Sequence, residues 1–232
     1  FTLTFTNLAF VQSNLEKILK DAVLKNNYKP PSEIYFNNHK ELIPEGEVFF
    51  KSKNMSLNGD ISCQTCHIDS EGSSDGISNA AGIRGYGEGS KRLFSGGKII
   101  PRNTLGFWGV GSINFKTFFW DGRVDFSNKK NISQFGSNIP SSDPLVTAVH
   151  LPVVEIREIL DEDDFILAHK QESVDGADAI YKSIVNNLKK TEESTVRSLA
   201  IKLKKDYDNI NYLDIAKSIA SFIRHKFQIK DS

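Results

Sequence analysis

Cysteine and methionine are nearly absent from this 232-residue chain, which holds two Cys, one Met, seven Pro and two Trp. Two cysteines cannot build a disulfide framework, so the fold must be held by packing. An excess of one charge sign is missing too, because 29 Lys+Arg are balanced by 29 Asp+Glu. That balance excludes the broad basic surface of a nucleic-acid binder, and neither DNA nor RNA is an expected partner. Long apolar runs are also lacking. The longest uncharged stretch near the start, residues 1–15, is broken by Thr, Asn, Gln and Ser. It falls short of the ~20 apolar residues of a spanning helix, so no membrane-spanning segment is expected. The chain opens with Phe and has no basic stretch ahead of an apolar run, so an export signal is expected to have been removed and export must be argued from chemistry.

What is present suffices for a sizeable core: 39% of residues are hydrophobic, including 16 Phe, and 25% are charged. The length predicts one large domain or a domain plus an extension. Ser13-Asn14-Leu15-Glu16 reads as a capping box before the stripe Leu15, Ile18, Leu19, Ala22, Val23, which predicts an amphipathic helix ending before Pro30-Pro31. Pro44 suits the first turn of a second helix that carries Val48, Phe49 and Phe50 toward the cysteines. Eight of the sixteen glycines fall between Ile68 and Ile100, which predicts one long surface loop. Gly85-Tyr86-Gly87-Glu88-Gly89 lacks the spacing and the strand-to-helix context of a phosphate cradle. Ser127 to Asp143 reads as irregular, and a helix is predicted from Pro152 through Leu160. Further helices are predicted near Ala177–Leu188, Ser194–Leu203 and Tyr212–Phe227. Strand signals are weak. The expected fold class is mainly α with long loops over 41–232, preceded by an N-terminal helical extension over 1–40.

Both cysteines lie in Cys63-Gln64-Thr65-Cys66-His67. C-x-x-C-H is the attachment sequence of c-type haem: the thiols add to the two vinyl groups and the adjacent His ligates the iron. A dithiol redox pair would want a βαβ context, and structural zinc would want a fourth ligand at motif spacing. Neither is found, so one covalent haem c is expected on Cys63, Cys66 and His67, with the haem-attaching periplasm or another exported location implied. Small electron-transfer cytochromes place a ligating Met after the motif, whereas Met55 precedes it. No His occurs between 68 and 149, leaving His39, His150, His169 and His225, of which His150 is the best placed.

From Phe49-Phe50 through Met55-Ser56-Leu57-Asn58-Gly59 to Ser62-Cys63-Gln64-Thr65-Cys66-His67 the chain resembles bacterial di-haem cytochrome c peroxidases and the related methylamine-dehydrogenase maturation enzymes. Arg102-Asn103-Thr104, Phe118-Phe119-Trp120-Asp121-Gly122-Arg123, Leu151-Pro152-Val153 with Glu158, and Ile215-Ala216-Lys217-Ser218-Ile219-Ala220-Ser221-Phe222 continue it in order. The resemblance implies that residues 41–232 form a cytochrome c-like haem domain, the amino-terminal, peroxidatic one, the second C-x-x-C-H domain being absent. It implies that His67 is the proximal ligand, Trp120 the electron relay between two haems, Glu158 the distal acid/base, and Asn103 a calcium ligand.

The implied function is the c-haem subunit of a peroxidase-like oxidoreductase, reducing hydrogen peroxide or using it to oxidise a protein partner. Its implied partners are a second haem-bearing chain or domain and a small electron-donor protein. Three positions depart from the family pattern: Leu105 replaces a Pro, Ala148 a Gln and Ile159 a Met. The last two favour the alternative, a non-enzymatic electron-transfer subunit with a decayed pocket. The loop after His67 lacks the family's displaceable His, which implies an open iron or an unusual ligand such as Tyr86.

Overall fold

The computed structural model describes residues 6–35, 37–127, 131–161 and 173–230. In chain order its helices are α1 (Thr6–Lys25), α2 (Pro31–Ile34), α3 (Ile43–Lys51), α4 (Cys63–Cys66), α5 (Ser90–Phe94), α6 (Pro144–Val149), α7 (Val174–Thr191), α8 (Glu193–Leu203) and α9 (Tyr212–Lys226). The described strands are two residues each, β1 (Thr117–Phe118) and β2 (Val124–Asp125), paired antiparallel with Phe118 opposite Val124. The fold is mainly α, as expected.

The core forms where α3 crosses α9. Gly46 permits the close approach: a Cβ there would stand 1.9 Å from the Ser218 carbonyl oxygen. Beside the crossing Phe50 packs on Phe222 with ring centroids 5.1 Å apart, and Leu42, Phe49, Met55, Ile215 and Ile219 are buried around them. Asn211 and Asp214 cap α9 reciprocally, side chain to amide, at 3.3 and 3.2 Å. At the far end Arg224 donates to Asp143 at 2.7 Å, and Asp143 itself caps α6 through the amides of Leu145 and Val146. The last helix is thereby tied to the segment that leads into Glu158.

Three local expectations are corrected. Helix α1 has begun by Thr6, so Ser13 is an interior residue and not a cap; Leu15, Ile18, Leu19 and Val23 stay exposed. The predicted helix from Pro152 to Leu160 is only a 3-10 turn over Pro152–Val154. It stops because the backbone turns extended at Glu155 (φ −84°, ψ 122°) and left-handed at Arg157 (φ 71°), whose carbonyl then accepts from the Ile83 amide at 3.1 Å. Finally, the glycine-rich stretch is not wholly a surface loop. It carries α5 and closes on Arg92, which is 1% exposed and donates from Nε to Gly82 O at 2.5 Å and from Nη1 to Gly85 O at 2.7 Å. A guanidinium can be buried there because loop carbonyls accept its hydrogens. The region Ser127–Asp143 is irregular where described, with residues 128–130 outside the described set.

Candidate functional site

Cys63-Gln64-Thr65-Cys66 forms the one turn of α4, and the His67 amide closes it onto the Cys63 carbonyl at 2.9 Å. The Ser62 amide donates to Thr65 Oγ1 at 3.0 Å, fixing the entry to the turn. Both cysteines are half-buried free thiols, and burial pushes each up to about 12, with the Glu158 carboxylate adding to the rise on both. A redox dithiol needs the opposite, a depressed thiol. Among the described residues no group of three or more His, Cys, Asp and Glu could hold a metal ion, which disfavours structural zinc.

His67 sits in an aromatic cage. Phe107 stacks on its ring at 3.6 Å, and Phe50 lies 6.4 Å away, itself packed on Phe107, Phe222 and Phe227. Burial lowers the imidazole to about 4 against the carbonyls of Ser73 and Leu105, which raise it, so the ring is neutral. Its Nδ1 lies 2.9 Å from Ser73 O. A carbonyl can only accept, so Nδ1 carries the proton and Nε2 keeps its lone pair. Two neutral thiols in apolar surroundings and one oriented imidazole are the donor set that covalent haem c requires.

Across from the thiols stands Glu158. It is half-buried, and burial first, then the charge of Glu155, pushes its carboxyl up to about 8, with Arg123 opposing. Glu158 is close enough to Cys63 and Cys66 for its charge to raise both thiols. Arg123 anchors this side: it grips Asp121 through Nε and Nη2 at 3.0 and 2.7 Å and also bonds Glu155. Arg102 reaches the same Asp121 at 3.2 Å, and the Arg123 hydrogen bonds hold that carboxyl well below its usual range.

Trp120 is 59% exposed, so it is not a core aromatic, and its indole Nε1 donates to the Asn103 carbonyl at 3.1 Å. The structure therefore brings Trp120 and Asn103 together on one face. The residues just before Trp120 and just before Glu158 both take left-handed backbone: Phe119 at φ 67° and Arg157 at φ 71°. Such a conformation is a strained one for bulky side chains, and it turns the following residue out of the regular path of the chain.

The other candidates lie apart. Tyr86 is 78% exposed. His39 is near the surface, 3.6 Å from Glu41, and His225 is exposed; His169 lies outside the described residues. His150 is buried, with Nδ1 2.7 Å from Val146 O, and packs edge-on to Tyr181 and Tyr212. It lines a cavity of about 800 Å³ that none of Cys63, Cys66, His67, Trp120 or Glu158 enters. Ala148 and Ile159 are buried, so they present apolar wall where the family pattern has a Gln and a Met. Sequence reading gave no role to Arg123, Glu155, Phe107, Gly82 or Arg157. The first lies inside a motif that could have drawn attention to it; nothing in the sequence marks the others.

A family model described as di-haem cytochrome c peroxidase matches residues 40–232. The methylamine utilization protein MauG of Methylorubrum extorquens strain AM1 is 31% identical over 112 residues, covering 45% of this chain. The match spans 27% of that protein's length.

Proposed function

Because the chain belongs to the di-haem cytochrome c peroxidase family, we propose that it carries one haem c on Cys63, Cys66 and His67 and serves as the peroxide-handling half of a two-haem oxidoreductase. A single observation supports this most: Glu158, half-buried beside the Arg123–Glu155 pair, lies close enough to Cys63 and Cys66 for its charge to act on both. When bound, the haem supplies the electrons and the Lewis acidity that break a peroxide O–O bond. Cys63 and Cys66 would hold the haem covalently, and His67, oriented by Ser73, would ligate its iron. Glu158 would accept a proton from one peroxide oxygen and return it to the other, a transfer suited to a group that titrates near neutral pH. The Phe50–Phe107 cage would keep water from the His67 ring. Trp120 would relay electrons from a second haem on another chain or domain, with calcium near Asn103 as a bridge and a small protein as the ultimate donor. The substrate we infer is hydrogen peroxide, or a protein oxidised at its expense. Such attachment chemistry fits the periplasm, and among the described residues no helix is long and apolar enough to cross a membrane. Residues 1–40 fit an extension beside a haem domain over 41–232.

The apolar wall of Ala148 and Ile159 favours a second reading, an electron-transfer subunit without peroxide chemistry. Glu158→Gln separates them: loss of the acid/base slows peroxide cleavage by roughly 10²–10⁴-fold. An unchanged rate, with a six-coordinate low-spin ferric spectrum in the parent protein, establishes the second reading.

A further inference from the structure

The Glu158 side chain depends on an unusual piece of backbone. Arg157 holds φ 71° and closes a tight turn by donating its amide to Leu160 O at 2.9 Å. Its carbonyl points the other way, to the amide of Ile83 at 3.1 Å. Gly82 lies directly against this peptide. A Cβ on Gly82 would stand 1.7 Å from Arg157 O and 2.9 Å from Glu158 O, so no other residue fits without moving residues 157–158. Gly82 cannot retreat, because its amide donates to Lys98 O at 2.8 Å and its carbonyl accepts from the buried Arg92 at 2.5 Å.

We propose that Gly82 and the left-handed Arg157 are positioning residues: the glycine-rich segment that follows the Cys63–His67 motif clamps the Arg157 peptide and so aims the Glu158 carboxyl into the interior shared with Cys63 and Cys66. One chain segment thereby couples the thiol side of the site to the acid side. Without the clamp the 157–160 turn relaxes to negative φ and Glu158 rotates toward water. The charged and titratable groups that face Glu158 are Glu155 and Arg123 from its own side, and Cys63 and Cys66 from α4. None of these is altered by changing Arg157 or Gly82, so a change in the Glu158 proton affinity reads its placement. The proposal rests on Glu158 being the acid/base of the site, but its test does not use peroxide turnover.

The test compares Arg157→Val with Arg157→Gly in the haem-loaded full chain. Both lose the guanidinium; glycine accepts positive φ freely and valine resists it. The protonation midpoint of Glu158 is followed by the pH dependence of its carboxylic infrared band, assigned by its loss in Glu158→Gln. The expected result is a midpoint near the parent's in Arg157→Gly and one lower by about one pH unit or more in Arg157→Val, as an exposed carboxyl returns toward its ordinary range. Gly82→Ala should shift it the same way, with helix content and haem load checked by circular dichroism and absorbance. Should Gly82→Ala fail to fold, the valine and glycine pair alone decides. Equal midpoints in those two variants, shifted or not, overturn the proposal. If Glu158→Gln leaves peroxide cleavage unchanged, the acid/base reading fails, while the midpoints still judge the clamp.

Discussion

Among the described residues no cation hydrogen-bonds Glu158 directly, while Arg123 spends its donors on Asp121 and Glu155. Its affinity near pH 8 is therefore set by burial and by repulsion from Glu155. A carboxyl raised above its ordinary 4.5 favours the folded state at low pH, and that contribution is lost as pH rises toward about 8. We expect the thermal midpoint to fall across this window, and to fall less in Glu158→Gln, as measured by circular dichroism at a series of pH values. The thiols allow a sharper statement. With both cysteines intact the chain mass should include one haem; Cys63→Ala or Cys66→Ala should leave a single thioether, and the double variant none, by denaturing mass spectrometry. A parent mass without haem would remove the basis of the site.

Helices α3 and α9 decide where that chemistry sits. The crossing at Gly46 lets Phe50 lie between Phe222 and Phe107, and Phe107 in turn stacks on His67. The proximal imidazole is thus oriented by a helix pair distant in sequence. Gly46→Ala forces a methyl against the Ser218 carbonyl, and overpacking of this kind costs about 1–3 kcal/mol. Urea unfolding should register that loss, and the haem absorbance should change with it, because the Phe50 wedge must shift when the helices part. A variant as stable as the parent would show that the crossing is softer than the packing implies.

For the molecule as a whole, the exposed surface beside the site is the informative part. Trp120 exposes 59% of its area, and Arg102 and Asn103 tie the segment before it to Asp121 and to the Trp120 indole. Large apolar side chains left in water on one face mark an interface. We expect this face to be covered by the second haem-bearing chain or domain in the native assembly. Oxidative footprinting read by mass spectrometry should find Trp120 protected there and labelled in the isolated chain. Trp120→Ala should slow electron delivery to the haem while leaving its attachment intact. Equal labelling in both states would favour the simple electron-transfer subunit.

The haem motif, the family likeness and most helices were legible because they depend on neighbours in sequence: the C-x-x-C-H spacing, the Pro44 start of α3, the stripe of α9. Contacts between distant segments were not. Pro152 to Leu160 carries a helical pattern, yet the backbone turns extended at Glu155 and left-handed at Arg157, where the distant Ile83 amide holds the Arg157 carbonyl. The glycines from 72 to 97 suggested a loop, yet Arg92 is buried under them and orders it. Glu158 stands in an acidic run, and only the burial around it and the charge of Glu155 give its carboxyl a raised proton affinity, which the sequence by itself does not show. Covalent chemistry is written in the residues that perform it, whereas proton affinity and aim belong to whatever packs around a side chain, and that is assembled only when residues far apart in the chain meet.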